Sequence, residues 1–183
     1  MKFYSTNNKA LAVSFKDAVF NSLPVDKGLY MPQEIPQLDP LFIKNLQQYS
    51  LQEIALEVAS TLLSNDIPKS DLKKIVDEAI NFEAPIKFLS DSTAVLELFH
   101  GPSYAFKDFG ARFMSRIMGY FSKVDDKLLD VLVATSGDTG GAVALGFLGV
   151  AGTRVTILYS KGKVSDVQEL QFTTNGQNIR ALE

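Results

Sequence analysis

The sequence predicts an α/β protein in two parts. A small, mostly helical N-terminal region covers 1–88, and the start of a three-layer αβα domain with a parallel sheet covers 89–183. Three observations predict it. Two amphipathic helical stripes run through 50–80, short apolar runs alternate with helical patterns beyond Ile86, and a glycine-rich turn joins the most apolar of those runs to a helix.

Taken in order, Met1 to Pro36 mixes short apolar pieces with turns. Val13 to Phe20 reads as a strand end or turn running into a short helix, and Gly28-Leu29-Tyr30-Met31-Pro32 as a tight, proline-stopped segment. Ser50 and Glu53 make a capping box ahead of a helical face traced by Leu51, Ile54, Ala55, Val58, Ala59, Leu62 and Leu63. Pro68 and Ser70 can start a second helix, with Leu72, Ile75, Val76, Ala79 and Ile80 as its stripe and Pro85 beyond its end.

The later pieces are a strand at Val95 to Phe99, a helix from Phe106, a fully apolar strand at Val131 to Ala134 and a helix through Ala142 to Leu148. Next come a strand at Val155 to Tyr159, a helix opened by a Ser165/Gln168 capping box, and an apolar run near Ile179. Strand and helix in alternation imply parallel pairing with right-handed crossovers, and the unbroken run at Val131 to Ala134 suits a central strand. The pattern is still alternating at Glu183, so the domain is expected to be truncated.

Composition narrows the chemistry. The 183 residues are 46% hydrophobic and 21% charged, with a net charge of −3, which offers no basic field to nucleic acid. There are no cysteines and one histidine, so disulfides, thiolate nucleophiles and Cys- or His-rich metal sites are not expected. The start lacks the apolar core of a signal peptide, and no apolar run is long enough to span a bilayer. The expected protein is soluble and cytoplasmic, with a small-molecule substrate and no nucleic-acid or membrane partner.

Two stretches carry the candidate chemistry. In the first, Phe106, Phe109, Phe113, Ile117 and Tyr120 recur at helical spacing, which turns this stripe to the core and puts Lys107 in the first turn. The macrodipole opposes a cation there by about 0.3 to 1 kcal/mol. Flanking aromatic rings add desolvation, and a neutral, accessible amine is what Schiff-base chemistry requires. Asp108 pulls the other way by favouring the ammonium, and an ordinary lysine lying along the core edge fits the spacing as well.

The second stretch is Thr135-Ser136-Gly137-Asp138-Thr139-Gly140-Gly141, between a strand and a helix. Glycines permit close backbone approach, and the helix N-terminus supplies free N–H groups, which together make an anion cradle. The loop lies at the carboxyl end of its strand, where open α/β sheets bind ligands. It is neither a P-loop nor a dinucleotide fingerprint, and a plain tight turn would read the same way. Asp138 sits awkwardly beside a bound anion unless a cation or proton is shared.

Together, His-Gly-Pro-Ser-Tyr-Ala-Phe-Lys-Asp-Phe-Gly at 100–110 and Ala-Thr-Ser-Gly-Asp-Thr-Gly-Gly-Ala at 134–142 resemble the threonine synthase family, pyridoxal-phosphate enzymes of the tryptophan-synthase-like fold type II. Val13-Ser14-Phe15, Gly28 to Pro32 with Ile35-Pro36, and Tyr159 to Lys163 extend the resemblance over essentially the whole chain. It implies that Lys107 holds pyridoxal 5'-phosphate covalently and then shuttles protons. It also implies that Ser136, Gly137 and Thr139 meet the substrate carboxylate, and that Asp138 faces the cofactor ring. The implied reaction turns O-phospho-L-homoserine and water into L-threonine and phosphate. His100 is close enough in sequence to approach such a site, or to fill a strand-end turn.

Tyr104 and Gly141 stand where the family suggests an aliphatic residue and a small Ala or Ser. The family's phosphate-gripping loop and pyridine-nitrogen partner come from later sequence and are expected beyond Glu183. The parent protein is therefore expected to be the enzyme, a phosphate-eliminating lyase, and these 183 residues alone to be inactive. A threonine-synthase-like phospho-lyase and a non-catalytic folding or interaction module are the alternatives.

Overall fold

The computed structural model describes residues 1–183, which form two compact units, Met1–Asp77 and Glu78–Glu183. In the first unit, β1 (Lys2–Ser5) is the middle of a three-stranded antiparallel sheet, between β2 (Ala12–Ser14) and β3 (Tyr30–Pro32). The predicted turn-and-helix at 13–20 is the end of β2 running into α1 (Phe15–Asn21), capped by Ser14. The proline-stopped segment at 28–32 proves to be a sheet strand. Its backbone pairs with residues far away in sequence, which local spacing does not reveal.

A short helix α2 (Pro40–Lys44) follows, capped by Asp39. Then comes α3 (Leu51–Leu63), where Ser50 and Glu53 form the full reciprocal capping box. In α4 (Lys69–Ala79) the apolar stripe is inside as expected, with Leu72, Ile75, Val76 and Ala79 all buried. The second unit starts at Glu78 and so includes the last residues of α4. Arg112 donates from Nε to Ala79 O (2.8 Å) and from Nη2 to Glu78 O (2.7 Å) and Asn81 Oδ1 (2.9 Å), satisfying carbonyls that a helix C-terminus leaves open.

The strand predicted at Val95 to Phe99 does not open the parallel sheet. Instead β4 (Ile86–Ser90) and β5 (Thr93–Leu96) form an antiparallel hairpin of their own, turning at Asp91-Ser92. The parallel sheet is β6 (Leu129–Thr135), β7 (Thr153–Tyr159) and β8 (Ile179–Leu182), in that order. Its middle strand is therefore β7, while β6, expected at the centre, pairs on one side only. Its apolar run is split between two faces, with Val131 and Val133 turned to the core and Leu132 69% exposed.

Three helices accompany this sheet: α5 (Lys107–Asp125), α6 (Asp138–Phe147) and α7 (Asp166–Thr173). Their core with the sheet holds Ala111, Ala142, Val143, Ala144 and Phe147 against Val155, Ile157, Phe172 and Ile179. The aromatic stripe expected to be the buried face of α5 is only partly so, with Ile117 inside and Phe109, Phe113 and Tyr120 half-buried. Phe106 is 61% exposed, and the residues inside are Asp108, Ala111, Arg112, Ser115, Ile117, Phe121 and Ser122. Close packing of α5 on α6 is the reason, since a Cβ at Gly146 would lie 3.2 Å from the Ala111 carbonyl carbon. Small residues allow that approach, and the polar ones come in already paired, as with Ser115 Oγ donating to Gly146 O at 2.7 Å.

No helix is long and apolar enough to cross a membrane.

Candidate active site

Lys107 is the first residue of α5, as the helical spacing requires, and Phe106 is the N-cap. The loop ahead of it, Gly101 to Phe106, is built around Asp108. That carboxylate is fully buried and accepts from Ser103 N–H (2.9 Å) and Ser103 Oγ–H (2.8 Å). Gly101 is needed because a Cβ there would lie 2.4 Å from Asp108 Oδ2. Tyr104 takes a positive φ of 59°, which tightens the turn.

Asp108 is thus spent on the loop and is not bonded to Lys107. The Lys107 ammonium lies over the Phe106 ring, with its centroid 5.2 Å away. The competition drawn from sequence, in which Asp108 steadies a charged Lys107, has a geometric answer: the two side chains diverge from adjacent positions on the first turn.

Lys107 lines a concavity of about 370 Å³ with Phe106, Phe109, Gly110, Met114 and, from α6, Thr139 and Val143. The lining is almost wholly apolar. It therefore suits a flat organic ring beside an amine and offers little to a dianionic phosphate. The cofactor implied by the motifs fits this lining through its reactive carbon and ring.

The second motif opens α6, whose N-cap is Gly137 at φ 149°, in the region that favours glycine. Thr135, which the sequence reading passed over, organises the turn. Its Oγ1 accepts from Gly137 N–H (3.0 Å) and Gly140 N–H (2.9 Å). Fewer amides are therefore left for an anion than the loop alone suggested. Those of Asp138 and Thr139, at the first two helical positions, have no intrahelical acceptor. Ser136, Asp138 and Thr139 are exposed, while Gly137 is buried.

Asp138 is held by a residue from another element, since Gln168 Nε2 donates to Asp138 Oδ1. This overturns the expected Ser165/Gln168 capping box. Ser165 is the N-cap of α7 but makes no side-chain cap bond, and its Oγ donates instead to Gln168 Oε1 at 2.9 Å. Gln168 Oε1, which a capping box would use to accept the Ser165 backbone N–H, accepts the Ser165 hydroxyl instead while Nε2 is turned to Asp138.

The structure therefore brings Lys107 and Thr139 to one concavity and sets Ser136, Gly137 and Asp138 on the loop that leads into it. His100 is not among the lining residues. It pairs with Glu97 at 2.8 Å and stacks on Phe99, as a turn-filling histidine does.

The chain is similar to known proteins along its length. Residues 2–80 match the family model described as the threonine synthase N terminus. Threonine synthases of Buchnera aphidicola and Haemophilus influenzae are 39% and 40% identical to all of this chain, which covers 42% of each. Among solved structures, PLP-bound threonine synthase from Brucella melitensis superposes with a TM-score of 0.94 at 39% identity. The Escherichia coli threonine synthase does so with a TM-score of 0.89 at 37% identity. Each is covered by all of this chain over 41% and 42% of its own length, respectively. Spanning about two fifths of the length of the relatives it matches, the chain carries the threonine synthase N-terminal family domain at residues 2–80 and is similar to threonine synthases along its whole length.

Proposed function

We propose that this chain carries the lysine-bearing half of a pyridoxal 5'-phosphate site, in a protein that converts O-phospho-L-homoserine and water to L-threonine and phosphate. The observation that carries the reading is the shared concavity, where Lys107 and Thr139, from the first turns of two different helices, face one apolar space. The cofactor, when bound, acts as an electron sink for carbanions at Cα and then Cβ of the amino acid.

The remaining work falls to residues of this chain. Lys107 Nζ holds the cofactor and moves protons at the substrate carbons. Ser136 and Thr139, with the free amides of the first turn of α6, receive the substrate carboxylate, and the buried Gly137 lets it approach the backbone. Asp138 would face the ring, with its direction fixed by Gln168. The apolar lining limits solvent at the amine, while one water must still reach Cβ, where the hydroxyl of threonine forms, and Lys107 supplies the local proton transfer. In this reading the enzyme is a phosphate-eliminating lyase, with 1–88 as its N-terminal domain and 89–183 as part of the cofactor domain.

Borohydride reduction tests it. With pyridoxal phosphate and borohydride, the chain is expected to carry the label on Lys107, with weak retention before reduction because the apolar lining offers the phosphate little hold. Labelling of another lysine in its place sinks the assignment. In a protein joining this sequence to a phosphate grip, threonine and phosphate should form in equal amounts. A keto acid in place of threonine would mark a phospho-lyase instead.

A further inference from the structure

Helix α7 was singled out in the sequence only for its start, yet it touches both motifs of the site. Gln168 donates through Nε2 to Asp138 Oδ1 on the glycine-rich loop. Gln171, three residues on and hence on the same helical face, donates through Nε2 to Ser103 O at 3.3 Å. Ser103 is the residue that grips Asp108, next to Lys107, through two hydrogen bonds.

Both glutamines also press against the loop backbone. A Cβ at Gly137 would lie 2.6 Å from Gln168 Oε1, and one at Gly141 would lie 2.2 Å from Gln171 Oε1. At Gly141, which departs from the family pattern, the Gln171 amide occupies the space of the missing side chain. Both glutamines are half-buried, and Ser165 Oγ–H steadies Gln168 from behind at 2.9 Å.

We propose that Gln168 and Gln171 are positioning residues, a two-point clamp on α7 that holds the Asp138 loop and the Lys107 loop in register. Gln168 aims the carboxylate of Asp138, and Gln171 anchors the turn that presents Lys107. Neither reaches the concavity itself. The role in catalysis rests on the function proposed above, whereas the clamp as a mechanical device does not.

The test separates the two. Backbone amide exchange is measured on the chain without cofactor. Gln168→Ala is expected to speed exchange over 136–141 by about tenfold, and Gln171→Ala to do so over 101–108, with β6 and β7 unchanged. Gln168→Glu sets two carboxylates against each other and should speed the loop as much. Combining it with Asp138→Asn restores a donor and an acceptor with roles exchanged, so protection should return to within about threefold of the unaltered chain. A merely structural loss would not be rescued by that swap.

The site is read separately. Gln171→Ala should slow borohydride-fixed labelling of Lys107 by pyridoxal phosphate, relative to labelling of the exposed Lys161. Unchanged exchange in the single variants, or no rescue in the swap, overturns the clamp. Exchange behaving as stated while the unaltered chain shows no labelling of Lys107 overturns the site reading instead.

Discussion

Ser103 and Asp108 are joined by two hydrogen bonds, one from the backbone amide and one from the hydroxyl of Ser103, to the two oxygens of a carboxylate with no exposed surface. This pairing makes the loop before α5 a rigid handle, and Lys107 is presented by it. Asp108→Ala leaves two buried donors unpaired and should cost about 2 to 4 kcal/mol, with Ser103→Ala costing about 1 to 2. Urea denaturation of both variants and of the double variant checks this. Strictly additive losses would show that the two residues do not act as a pair.

Gly137→Ala is expected to destabilise the chain by about 1 to 3 kcal/mol, because it forces a side chain into φ 149° and into Gln168. Gly162→Ala makes a useful contrast. Gly162 also has a positive φ, of 60°, but nothing lies within 4 Å of a Cβ there, so only the backbone cost remains. Thermal unfolding of the two variants compares collision plus strain with strain alone, and equal losses would contradict the Gln168 contact.

Arg112→Leu should lower stability by about 2 to 4 kcal/mol, since the carbonyls of Glu78 and Ala79 lose their donor in a buried setting. Burial foremost, and then Arg116, lowers the guanidinium's affinity for its proton below the ordinary arginine value, while Asp108 and Glu78 act in the opposite sense. Arginine nonetheless stays charged throughout the accessible range. The loss in Arg112→Leu should therefore be the same at pH 6 and pH 9, as read by urea midpoints.

Glu53 carries a pH-dependent contribution. Its carboxyl is held below the usual carboxylate range, first by the backbone N–H of Ser50 and then by the Ser50 hydroxyl. A depressed carboxyl stabilises the fold above its unfolded value, near 4.3, and that contribution fades as pH falls through the folded value. In Glu53→Gln, stability should fall less steeply between about pH 5 and pH 3. Urea midpoints across that range decide it, and parallel curves would remove the capping-box linkage.

How much was legible depended on the range of the interaction. The Ser50/Glu53 box, the stripe of α4 and the start of α5 at Lys107 are set by neighbours within four residues, and all are found where expected. The Ser165/Gln168 box has the same local pattern and failed, because a carboxylate thirty residues away claims the amide. Likewise Phe106 and Phe109 look like core by spacing. The helix instead turns small and polar residues inward beside Ile117 and Phe121, since Gly146 lets α6 approach closely.

The sequence by itself determined the α/β class, the helix start at Lys107, the glycine-rich turn at Ser136 to Gly141 and, through the two motifs, the family resemblance. These are local patterns whose energetics are nearly complete within one or two turns of chain. Only the tertiary structure decided that β7 is the middle strand and that β4 and β5 form a separate hairpin. It also assigned Asp108 to Ser103 rather than to Lys107, and made α7 the link between the motifs. Strand order and the choice among competing acceptors depend on groups far apart in sequence. A hydrogen bond goes to the partner that packing brings within 3 Å, and composition and periodicity carry no record of that distance.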